Sequence, residues 1–220
     1  DIYRPYKKHK KTRADVAREK GLLPLSDIIY AQNPDSPLPL VLAADYIDEE
    51  KGVLSAEDAL SGAADIIAET VSNDANLRKR LRFIMSAHGV LTAAGIKEDM
   101  GVYELYSDFS QAVAKIPNHR VLAINRGEKE GFLKVRIDLP QEKAEFTLFK
   151  GRIKPDTPCT EVVKNAALDA YSRLIFPSVE REIRNELTER ADTDAIKVFA
   201  ENLHGLLMQP PLKNSVTIGL

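Results

Sequence analysis

Cysteine is almost missing from this chain: Cys159 is the only one in 220 residues. A single thiol excludes an internal disulfide and fits a reducing compartment. Tryptophan is absent, and aromatic residues make up only 6%. No stretch approaches the ~20 consecutive apolar residues of a membrane-spanning helix. The opening DIYRPYKKHKK has no apolar secretory core. The expected location is therefore cytoplasmic, with no membrane partner.

Chemical signatures are missing too. His9, His88, His119 and His204 are scattered, at no metal-ligand spacing with one another or with Cys159. There is no G-x-S-x-G, no Walker loop and no G-x-G-x-x-G. His88 reads as a packed or helix-terminal histidine, His119-Arg120 as a structural hydrogen-bonding pair, and Cys159 as a packing residue. The acids Asp45, Asp48, Glu49 and Glu50 lack the regular spacing of a calcium loop and read as a solvated turn. The expectation is no catalytic residue, no metal and no cofactor.

What the chain does contain is helical patterning. Thr12 with Asp15 and Ser55 with Asp58 are N-terminal capping pairs, and Gly21 is a C-terminal stop. Pro24 suits the first turn of a short helix, and Leu38–Tyr46 suggests another. Ala59, Leu60, Ala63, Ile66, Ile67 and Val71 form one apolar face; Leu77, Leu81, Ile84, Met85 and His88 form the next, ended by Gly89. Asn118 after Pro117 suits the cap of a helix through VLAIN that stops at Gly127, although the same residues also alternate as a strand. Thr157-Pro158 starts a helix that Pro177 ends. A further helix follows, and Asp192 or Thr193 caps a last one running to Pro210-Pro211. Period two appears in FLKVRIDL, which with EFTLFK predicts a small hairpin near 132–150. The fold class is mainly α, a multi-helical bundle with one small β-hairpin.

Charge is balanced in the sum and uneven along the chain. Thirty-one Lys and Arg against 33 Asp and Glu give a formal net charge of -2. Yet Arg4, Lys7, Lys8, Lys10, Lys11 and Arg13 follow one another with no acid between them, with Tyr3 and Tyr6 interleaved. Cations beside stacking rings suit a nucleic acid strand; the alternative reading is an exposed strap whose tyrosines dock on the core. A second cluster, LRKRLRF, carries Arg78, Lys79, Arg80 and Arg82, and a third holds Lys143, Lys150, Arg152 and Lys154. The candidate nucleic-acid-binding residues are Tyr3, Arg4, Tyr6, Lys7, Lys8, Lys10, Lys11, Arg13, Arg78, Lys79 and Arg82.

Four stretches in order carry a family resemblance: PYKKHKKTRADVAREKGLLPLSD, DEEKGVLSAEDALSGAADIIAE, IPNHRVLAINRGEKEGFL and LIFPSVEREIRNELTERADTDAIKVFAENLHGLLMQPPL. Together they resemble the bacterial Tex proteins, transcription accessory factors related to the eukaryotic Spt-type elongation factors. AAGIKEDMGVYELYSDFSQA matches only loosely. The resemblance implies a piece of a longer multidomain protein, its central helical region. It implies that residues 1–32 join 155–212 in a discontinuous helix-turn-helix-like unit, with 33–154 as an inserted, mainly helical domain. Residues 215–220 would begin an RNase-H-like domain called YqgF, whose carboxylates would lie beyond Leu220; the family's helix-hairpin-helix and OB-fold RNA-binding domains would also lie outside. The implied function is a non-enzymatic helical scaffold that supports sequence-nonspecific RNA or DNA binding. The rival expectation is a protein-interaction platform that docks transcription or translation machinery.

Overall fold

A computed structural model describes residues 11–209. Expectations resting on residues 1–10 and 210–220, including the truncated strand, lie outside the described residues. The chain divides into two compact units, residues 1–89 with 139–181 and residues 90–138 with 182–220.

The first unit is built around one helix. α1 (Arg13–Glu19) opens with the expected capping box: Thr12 Oγ1 accepts from Asp15 N–H, and Asp15 accepts from Thr12 N–H. It closes on Gly21 at φ 81°, where Gly21 N–H reaches Arg18 O and Leu22 N–H reaches Ala17 O. α2 (Leu23–Ala31) and α3 (Pro39–Ala44) each carry proline in the first turn. α4 (Ala56–Ser72), capped by Ser55, buries Ala59, Ala63, Ile66, Ile67, Ala68 and Val71. These small and branched side chains let α1, α2 and α3 pack on it. α5 (Ala75–His88) buries only a narrow stripe, Leu77, Leu81 and Met85.

The rest of this unit departs from the expected layout at two points. Residues 141–149 are not the second strand of a hairpin. They form α7 (Gln141–Phe149), which buries Ala144, Thr147 and Leu148 at helical spacing. The Gln-Glu-Lys-Ala-Glu start has high helix propensity, so the alternation in EFTLFK did not decide the outcome. α8 (Thr160–Asp169) does not end at Pro177 either. A π-helical segment, Ala170–Ile175, carries the chain into α9 (Phe176–Leu207). Phe176 N–H bonds Tyr171 O across five residues, and the widened turn takes in a proline that has no N–H to donate.

In the second unit, β1 (Val90–Gly95) is the central strand of a three-stranded antiparallel sheet, between β2 (Asp108–Ala112) and β3 (Leu133–Asp138). β3 shows the expected alternation, with Leu133, Val135 and Ile137 buried. Its partner is β1, with Leu91 opposite Ile137. α6 (Asn118–Lys129) has Pro117 as its N-cap rather than Asn118, and it runs past Gly127. The Asn118 side chain instead takes Arg190 Nε at 2.9 Å and donates to Asp194 at 3.1 Å. α9 is one continuous helix through Asp192 and Thr193, with no new cap there.

Candidate nucleic-acid interface

The two basic clusters flanking the first unit's helices converge. α5 and α7 pack together. Between them runs a surface groove of about 510 Å³, lined by Lys79, Arg80, Phe83 and Ile84 from α5, Phe146 and Thr147 from α7, and Lys150 just after it. Phe83 is 72% exposed and Phe146 66%. Exposed phenyl rings forgo the burial that normally stabilises them, so two on one groove are informative. The Lys150 ammonium lies 5.3 Å from the Phe146 ring centroid, close enough for a cation–π attraction. No acidic side chain is among the lining residues.

Sequence explains how the groove is held. Asp74 caps α5, accepting from Asn76 N–H at 2.9 Å and Leu77 N–H at 3.1 Å. Its other oxygen pairs with the Arg152 guanidinium, just after α7. Arg152 also donates to Leu148 O at 2.8 Å, within α7. One carboxylate thus joins the start of α5 to the end of α7. The Leu77 N–H chiefly holds the Asp74 carboxyl below the usual carboxylate range; Arg152 and Asn76 add to this, and partial burial opposes it.

The sequence-derived candidates are divided by the structure. Tyr3, Arg4, Tyr6, Lys7, Lys8 and Lys10 lie outside the described residues. Lys11 pairs with Glu19, both more than half exposed, a contact of at most about 1 kcal/mol that a phosphate can displace. Arg13 is exposed beside Asp65, Glu69 and Arg173, in a groove of mixed charge. Arg78 is half-buried and donates to Ser178 Oγ at 2.6 Å. That bond ties α5 to the start of α9. Lys79 lines the aromatic groove; Arg82 is exposed on the same helix but does not line it. In the third cluster, Arg152 and Lys154 do structural work, since Lys154 Nζ donates to Ala31 O at 2.7 Å. Sequence reasoning missed Phe83 and Phe146. Phe83 carried a readable signal: an aromatic residue off the Leu77–Leu81–Met85 stripe, among arginines. Phe146 was hidden by its assignment to a strand.

Other candidate groups sit as ordinary structure. Cys159 is fully buried, and burial pushes its thiol pKa up. His88 and His119 are exposed. Arg120 donates to Gln111 at 2.9 Å. Asp48 pairs with Lys51 at 2.7 Å in a turn closed by a Asp48–Val53 bridge. Among the described residues no three His, Cys, Asp or Glu side chains cluster as a metal site, and no helix is long and apolar enough to cross a membrane.

The family described as Tex central region-like matches residues 35–199, which include α3 to α8, the three strands and most of α9. α9 runs past the end of that match. The chain belongs to this Tex family. It is 44% identical to the uncharacterized protein YdcI of Bacillus subtilis over all of its own length and 31% of that relative's. It is 32% identical to the transcriptional accessory protein Tex of Neisseria gonorrhoeae, covering 30% of it. With the human S1 RNA-binding domain-containing protein 1 it shares 28% identity, over 98% of the chain and 23% of that protein. The chain thus spans about a third or less of the length of these Tex relatives.

Proposed function

We propose that this Tex-family chain is a non-enzymatic helical scaffold that lends a basic surface to RNA or DNA within a transcription accessory factor. One observation carries this reading. Lys79, Arg80 and Lys150 converge on one groove that no carboxylate lines, although the chain as a whole is slightly acidic. The relatives named for transcription and for an RNA-binding domain support it. Contacts of this kind meet phosphate and are blind to base sequence. The basic run at 4–13 belongs to the same proposal as a second, independent contact.

Titrating the chain with single-stranded RNA at several salt concentrations tests the reading. Three phosphate contacts give a slope of log K against log[salt] of about -2 from the groove, at ~0.7 per contact. Replacing Lys79, Arg80 and Lys150 together with Gln should flatten the slope by that amount. An unchanged slope removes the groove from the reading.

A second reading, a protein-docking platform, is favoured by a different feature. Ile196, Phe199, Leu203 and Leu206 on α9 are exposed at 3-4-3 spacing, the pattern of a helix seam awaiting a partner helix. A chain acting only in this way would bind RNA at no salt concentration.

A further inference from the structure

We propose that the α5–α7 groove is a stacking seat for single-stranded nucleic acid, with Phe83 and Phe146 receiving unpaired bases while Lys79, Arg80 and Lys150 hold the neighbouring phosphates. The proposal rests on the basic-surface reading above and adds to it the class of strand.

Cations alone do not discriminate between single and double strands. Exposed phenyl rings do. In a duplex the base faces are covered by their neighbours, and a wedge entering the stack must first unstack a step, at a cost of a few kcal/mol. A single strand offers open faces, and every base has one, so stacking tolerates any sequence. Both rings here line one groove, more than half of each is open to solvent, and Lys150 lies against the Phe146 ring.

The seat is also rigid. Leu81 and Met85 of α5 and Leu148 of α7 are fully buried, turning the opposite faces of these helices inward, and the Asp74–Arg152 pair joins the two elements. The rings are therefore presented on fixed helices rather than on a loop, and ordering costs little on binding. The groove's volume lies in the range of small-ligand pockets. Its lining, however, holds exposed rings and long cations rather than convergent buried polar groups. That composition suits an extended polyanion with flat apolar faces. The acids of α7, Glu142 and Glu145, do not line it, and Gln141 engages Glu145 at 2.6 Å.

The test uses the 220-residue chain with a 12-nucleotide oligouridine carrying one 2-aminopurine, and with a duplex RNA of equal length. Phe83→Ala and Phe146→Ala are each expected to weaken single-strand binding about 5- to 150-fold and to reduce quenching of the probe. Duplex affinity should stay within about twofold, and Phe83→Tyr and Phe146→Tyr should bind like wild type. Both rings are exposed, so circular dichroism should show all variants folded. Equal loss on single and double strands, or no loss on either, overturns the stacking seat while leaving the basic-surface reading to its salt slope. Absence of any RNA binding by the wild-type chain overturns both. If a fluorescent acidic peptide binds the wild-type chain and loses affinity in the alanine variants while RNA binding is untouched, the groove is assigned to protein and the proposal is also overturned.

Discussion

Asp74 concentrates more structural consequence than any other charged side chain near the groove. It caps α5 through two backbone N–H groups and holds Arg152. Asp74→Ala should cost about 1–2 kcal/mol from the lost cap alone, measured by urea unfolding at pH 7. The pH dependence has a definite sign. The folded carboxyl titrates below its unfolded value of about 3.9. Its contribution is therefore complete above that value and is lost as pH falls through the folded one. The stability gap between wild type and Asp74→Ala should stay constant from pH 7 to 5 and close in the acid range below about 4. A gap that does not shrink anywhere below pH 4 would show that the carboxylate charge is not what matters. Cys159 makes a simpler case. It is fully buried and its thiol is pushed up by burial, and a protonated, inaccessible sulfur is a poor nucleophile. A disulfide reagent should modify it only in denaturant; prompt reaction in buffer would contradict its role as packing.

Among the elements, glycine had two meanings that the sequence alone did not separate. Gly21 ends α1 at positive φ, as its position suggests. Gly127 looks like the same signal, but it lies inside α6, where a Cβ would come within 2.6 Å of Leu133 Cδ1 and 3.0 Å of Tyr103 Cδ1. It is there so that α6 can approach β3 closely. Gly127→Ala should thus destabilise the second unit by a net of about 1–2 kcal/mol, overpacking outweighing the gain in helix propensity. Gly205 in α9 has nothing within 4 Å of its Cβ position. Gly205→Ala should leave stability unchanged or raise it by less than about 1 kcal/mol. Thermal unfolding of the two variants distinguishes a packing glycine from an idle one; equal effects would remove the distinction. The hairpin expectation failed for a related reason. Alternation in FLKVRIDL is real, but period two says that a strand has one buried face, not which strand lies beside it. The partner, VLTAAG, is short and made largely of small residues, so its own pattern was faint.

For the whole molecule, net charge conceals the charge map. A formal charge of -2 spread evenly would repel RNA weakly. On the proposed reading, the local concentration of Lys79, Arg80 and Lys150 reverses this at one groove. Location, not number, should therefore govern binding. Lys197→Gln on α9, at an exposed lysine 3.9 Å from Glu201, should leave the salt slope of RNA binding unchanged, although it removes one charge of the same sign. A slope that fell equally for any lysine removed would point to diffuse attraction and not to a site.

The sequence by itself determined the helical class, the caps at Thr12 and Ser55, the buried faces of α4 and α5, the alternation of β3 and membership of the family, because caps and periodicity are written within a few neighbouring residues. It also marked the basic clusters at 78–82 and 143–154. Only the tertiary structure decided that residues more than sixty positions apart share one groove, that Arg78, Arg152 and Lys154 serve the framework rather than the surface, and that Gly127 gives way to a neighbouring strand. Those outcomes depend on which distant element occupies the space beside each residue, and no local pattern encodes that.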